Sequence, residues 1–221
     1  MSKIKMLTVA TIVALVSCES RPELYNSATL DYAGRFVMTE FTIARGDYGL
    51  PGDGDTTLVI DDELAIYNTT ADVANEIWVK CDGLDVYAKQ TISGSPESFT
   101  SQWGVNMKGI VAADDLPLTL AAGRDTIIDS VDDAAMRIVL ASIVKNGTTS
   151  PGGNTVDALN AKVEFCQAKV FYKSLLRDKS VWADSTIAEY GWKFSHIEAY
   201  DGTAYSFVIN GYRYTGLPED M

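Results

Sequence analysis

One histidine, three cysteines and four tryptophans limit the chemistry open to this 221-residue chain. Any Ser-His-Asp or Cys-His mechanism would have to use His196. Strand alternation would place it on one face with Trp192, Phe194 and Glu198, where a carboxylate could tune the imidazole as a base. No Gly-x-Ser-x-Gly elbow is present to offer a nucleophile, so no catalytic residue is assigned. One histidine and scattered cysteines cannot assemble a zinc set. Asp53-Gly54-Asp55 and Asp61-Asp62-Glu63 offer hard oxygens, but neither continues into a calcium-loop pattern. Neither metal nor cofactor is expected.

Cys18 has a more specific setting. Lys3 and Lys5 open the chain, a mainly apolar run follows over residues 7–16, and Leu15-Val16-Ser17-Cys18 ends it in the form of a bacterial lipobox. The run is half the roughly twenty residues a membrane-spanning helix needs, and it suits the core of a signal peptide. Small residues before the cysteine give a peptidase access, and the thiol is the group a diacylglycerol can be attached to. A thioether lipid with an N-terminal acyl chain would supply the multiple signals that stable anchoring requires. The expected organisation is a signal peptide over residues 1–17, a lipidated tether over 18–31 and a single domain over 32–221. The expected location is the outer membrane, facing the periplasm or the cell surface, with the membrane and envelope proteins as partners.

The chain holds 30 acidic and 18 basic side chains, a net charge of −12. Loss of Lys3 and Lys5 with the leader would make it −14. Such a surface repels phosphate backbones, so nucleic acid is excluded as a partner. Cys81 and Cys166 lie in apolar, strand-like runs, where a disulfide and two buried free thiols both remain open.

These residues must be positioned by strands. Alternating apolar residues mark segments over 32–44, 58–67, 76–81, 84–92 and 99–111, and Asp82-Gly83 between two of them is a strong hairpin signal. Residues 134–145 fit either a helix, with Met136, Val139, Leu140, Ile143 and Val144 at helical spacing, or a β-branched strand. Ala161, Val163 and Phe165 alternate on one phase and Ala168, Val170 and Tyr172 on the other, which predicts a bulge near Cys166-Gln167. Asp201-Gly202 predicts a second hairpin between residues 191–200 and 203–214. Eight or nine short strands point to an all-β, antiparallel barrel or closed sandwich. In such a fold Trp78, Trp103, Trp192 and His196 could line a cavity for a small apolar ligand such as a lipid. Asp55-Thr56-Thr57, Asp125-Thr126-Ile127, Asp129-Ser130-Val131 and Asp184-Ser185-Thr186 match a short O-glycosylation pattern.

Two turn-rich passages carry a family resemblance. They are residues 143–157, containing Asn146-Gly147-Thr148-Thr149-Ser150-Pro151-Gly152-Gly153-Asn154, and residues 210–220, beginning Asn210-Gly211-Tyr212-Arg213-Tyr214. With Ala33-Gly34-Arg35-Phe36 and the lipobox, they resemble the Bacteroidetes lipoprotein family labelled "lipid-binding putative hydrolase". The resemblance implies a lipocalin-like, mostly β domain on a lipid anchor, favours strand over residues 134–145, and brings no catalytic residues. Three functions follow as expectations: a lipid-anchored envelope module binding an apolar ligand, a structural or assembly component of an envelope complex, and an esterase-like enzyme using His196.

Overall fold

Among the described residues the alternating segments form eleven strands: β1 Gly34–Ala44, β2 Asp55–Leu58, β3 Glu63–Asn68, β4 Glu76–Cys81, β5 Val86–Ser95, β6 Ser98–Ser101, β7 Gly104–Val105, β8 Asp125–Thr149, β9 Thr155–Leu176, β10 Tyr190–Ala199 and β11 Tyr205–Arg213. The computed structural model describes residues 27–44, 55–58, 62–119 and 122–217. The leader, Cys18, most of the tether and the acids Asp53 and Asp61 lie outside the described residues.

All strand pairs are antiparallel, and the order runs β10-β9-β11-β1-β3-β4-β5-β6-β8-β7, with β2 on β1. A further pairing of β8 with β9 closes this path into a ring, so eight strands from β9 round to β8 need no open edge. Within the ring the strands turn apolar residues inward. Phe36, Ile66, Ile77, Val79, Met136, Ile143, Leu159, Val163 and Ile209 are among the residues packed inside. Tyr32 meets Phe99 edge to face at 5.2 Å and donates to the Gly94 carbonyl at 2.8 Å, covering the end of the ring where β1 begins.

Residues 134–145 lie within β8, because their β-branched side chains alternate between the ring interior and the outside. β8 and β9 are long enough to leave the ring and build a second core. There Ala134, Ala135, Cys166, Ala168, Val170 and Tyr172 are buried against Trp192, Phe194 and the connection holding Ile110 and Leu116. β9 keeps its alternation throughout, one face serving the ring at Val163 and Phe165 and the other the second core at Val170 and Tyr172. The register shift expected at Cys166-Gln167 therefore falls on the partner strand: Val131 pairs with Ala168 but Ala135 pairs with Cys166. β8 absorbs the extra residues through Ser130 and Asp133, at φ 55° and 53°.

Asp82-Gly83 does join the paired strands β4 and β5. Asp201-Gly202 does not make the expected hairpin. β10 pairs with residues 168–176 of β9 and β11 with residues 158–165, so the two strands lie end to end along one edge of β9. A 3-10 turn, Asp201–Thr203, links them. Cys81 and Cys166 are both free, buried in different cores, and the possible disulfide is absent.

Candidate functional site

At the end of the ring away from Tyr32, inward alternation brings Phe41 and Ile43 of β1, Phe165 of β9, and Tyr205 and Phe207 of β11 together with Leu84 of the β4–β5 turn. They line a concavity of about 720 Å³. That volume falls within the range of small-molecule sites. Phe207 is the hub of the aromatic floor. It stacks on Phe41 at 4.5 Å and meets Phe165 and Tyr205 edge to face at 5.5 and 5.2 Å. The next inward residues of the same strands, Val163 and Ile209, line a cavity of about 10 Å³, too small for more than about one water. The ring is thus filled below its mouth.

The rim is organised by Asn106, whose side chain is buried and fully engaged. Its Oδ1 accepts from the Tyr87 and Lys108 backbone N–H groups, at 2.9 and 3.3 Å. Its Nδ2 donates to the carbonyls of Asp85 and Asp133, each at 3.1 Å. Asp85 and Asp133 are left-handed, at φ 50° and 53°, so one amide holds two uncommon backbone turns in place. Asp85, Asp132, Asp133 and Lys108 give the rim its charge. The Tyr205 hydroxyl donates to Asp133, and Gln167 Nε2 donates to Asp132 at 2.7 Å.

None of Trp78, Trp103, Trp192 or His196 is among the residues lining this concavity. Trp78 is half-buried outside the ring, stacked on Tyr87 at 4.5 Å. Beside it, burial and a hydrogen bond with Tyr87 push the Tyr67 hydroxyl up to about 12. Trp103 lies under the Arg137 guanidinium, 4.4 Å from its ring centre, and donates to Asp201. Trp192 packs on the second core and donates to the Pro117 carbonyl at 2.6 Å. His196 is exposed, stacked on Phe171 at 4.3 Å, with Nδ1 3.1 Å from Ser195 Oγ.

The expected common face of β10 is split by a register shift between Phe194 and His196. Trp192 and Phe194 turn to the second core, while His196 and Glu198 face solvent. The tryptophans lie elsewhere, and phenylalanines line the mouth. The available signal is the aromatics on the inward phases, such as Phe165 closing the ring-facing set Ala161, Val163 and Phe165 of β9.

The two buried thiols offer no nucleophile. Burial pushes Cys81 up to about 12 and Cys166 up to about 11. Of the acids named as calcium candidates, Asp62 accepts from the Gly83 N–H at 2.6 Å and Glu63 pairs with Arg35.

At the opposite end of the ring, the turn-rich segments interlock. Arg213 Nε donates to Asp157 Oδ2 at 2.8 Å, and Nη1 donates to the Ala33 carbonyl. Its guanidinium lies 4.9 Å over the Phe36 ring, and Arg35 lies 5.0 Å over Tyr214. Gly34 leaves room for this arrangement: a Cβ there would fall on the Arg213 guanidinium, 3.0 Å from Cζ. A Cβ at Gly211 would likewise strike the Val37 carbonyl.

The family described as "Lipid-binding putative hydrolase" has a model that matches residues 21–218. The chain belongs to this family. The match covers every strand, the Arg213 corner and the mouth alike. No curated protein matches the chain. In this member of the "Lipid-binding putative hydrolase" family, the segments that carry the sequence resemblance build the corner, while the mouth lies at the other end of the same strands.

Proposed function

We propose that this protein is a lipid-anchored envelope module that holds a small apolar ligand at the mouth of its ring. The observation that carries the reading is the 720 Å³ concavity with a four-ring aromatic floor. The lipid-binding family supports it, as does the lipobox, through which Cys18 would tether the domain to the outer membrane on its periplasmic or outer face. Hydrophobic lining gives affinity, and the satisfied polar rim would orient one end of the ligand toward water.

The test is a fluorescence titration of the full chain with N-phenyl-1-naphthylamine, an uncharged probe that brightens in apolar surroundings. Saturable binding to the wild type, weakened about tenfold or more by Phe41→Asp, is expected. Phe41 sits at the floor's edge, and a carboxylate there must be desolvated by any apolar ligand. Unaltered binding to a variant with native circular dichroism would refute the assignment of the site.

A second reading, docking to other envelope proteins, draws on the filled ring interior and on Leu140 and Val144, which stand about half exposed on β8. It predicts co-purifying protein lost in Leu140→Glu/Val144→Glu, with probe binding intact.

A further inference from the structure

We infer that the aromatic floor is a length stop: the mouth accepts a compact apolar body or the end of a short chain, and Phe207 sets how far it enters. This deepens the ligand-binding reading and rests on it. Three observations converge. The concavity is confined to the ring end, with Phe41, Phe165 and Phe207 across its base. On both β9 and β11 the next inward residue, Val163 or Ile209, already belongs to a packed layer whose residual cavity is about 10 Å³. Phe207 is 7 % exposed and touches the other three rings, so it cannot swing aside without dismantling the floor.

A chain entering such a site gains apolar burial with each methylene until its end meets the floor. Every further methylene then stays in water and adds nothing. Buried methylenes contribute about 0.8 kcal/mol each, or about fourfold in affinity. The rim sets three acids against one lysine, so uncharged heads read the tail alone.

The experiment displaces N-phenyl-1-naphthylamine from the full-length protein with alkyl glucosides of about six to about twelve carbons, each below its micelle threshold. For the wild type, affinity should climb about fourfold per carbon and then level off within the series. In Phe207→Ala, which opens the floor toward Ile209, the levelling should move to longer tails. Phe207→Leu should move it less and guards against misfolding of the alanine variant. An unbroken climb in the wild type, or a break that stays fixed in both folded variants, overturns the length stop while leaving the ligand-binding reading in place. Failure of the probe and of every glucoside to bind overturns both.

Discussion

Gly34→Ala tests whether the Arg213 corner holds the closed end of the ring together. The added methyl would overlap Nη1 and crowd Cζ, forcing the guanidinium off the Ala33 carbonyl and out of its place over Phe36. The Arg213 and Asp157 side chains retain 27 % and 20 % of their exposure, so the pair is only partly screened. A hydrogen bond to a charged partner contributes about 1.5–3 kcal/mol and a half-exposed cation–π contact about 0.5–1. The loss should therefore be about 2–4 kcal/mol, a large share of a domain stability of about 5–15 kcal/mol. With a urea slope near about 2 kcal/mol/M, the midpoint should fall by about 1–2 M at unchanged slope. Arg213→Met supplies the control. In that background the methyl has nothing to displace, and Gly34→Ala should be neutral or slightly stabilising, since alanine loses less chain entropy than glycine. Equal costs in both backgrounds, or a cost within about 0.5 kcal/mol in the wild type, would refute the reasoning.

Other outcomes follow from the thiols, the anchor and the tryptophans. At pH 8, residue-mapped alkylation should leave Cys81 and Cys166 unmodified in the folded chain and modify both after unfolding; fast native labelling would contradict their buried, raised pKa values. Because both are raised above the unfolded value of about 8.5, their contribution is complete below that pH. It is lost as pH rises through about 11 for Cys166 and about 12 for Cys81, so alkaline destabilisation should be smaller in Cys81→Ala than in the wild type. Cys18→Ser should move the protein from the detergent-rich to the aqueous phase of a Triton X-114 partition, and unchanged partitioning would remove the anchor. Trp192→Ala should cost about 1–3 kcal/mol in stability while His196→Ala costs little. Neither should shift naphthylamine affinity, and a shift in a folded His196→Ala would return that residue to the ligand site.

Strands were legible where one face is buried and the other is not. Asp82-Gly83 and the alternation on either side of it define β4 and β5 through local chemistry alone. Residues 134–145 are ambiguous because apolar residues stand on both faces of the strand: Met136 and Ile143 turn inward while Leu140 and Val144 are half exposed, and together they mimic helical spacing. Partner choice was not local. Asp201-Gly202 has hairpin chemistry, yet β10 and β11 each bond to β9, whose length offers both a place. The change of phase along β9 recorded two cores on opposite faces, a fact no single-strand pattern can distinguish from a bulge. The mouth is not local either: Phe41, Phe165 and Phe207 read as ordinary core residues until ring closure leaves them at an end with space above.

The uninterrupted run of β9 through both cores also bears on how the molecule comes apart. Two separate apolar interiors would ordinarily let one half melt before the other. Here the same backbone carries amide bonds for each, and β8 accompanies it nearly throughout. Loss of either half leaves a long ribbon with bare edges, so slowly exchanging amides at Val163 and Val170 should share one opening free energy.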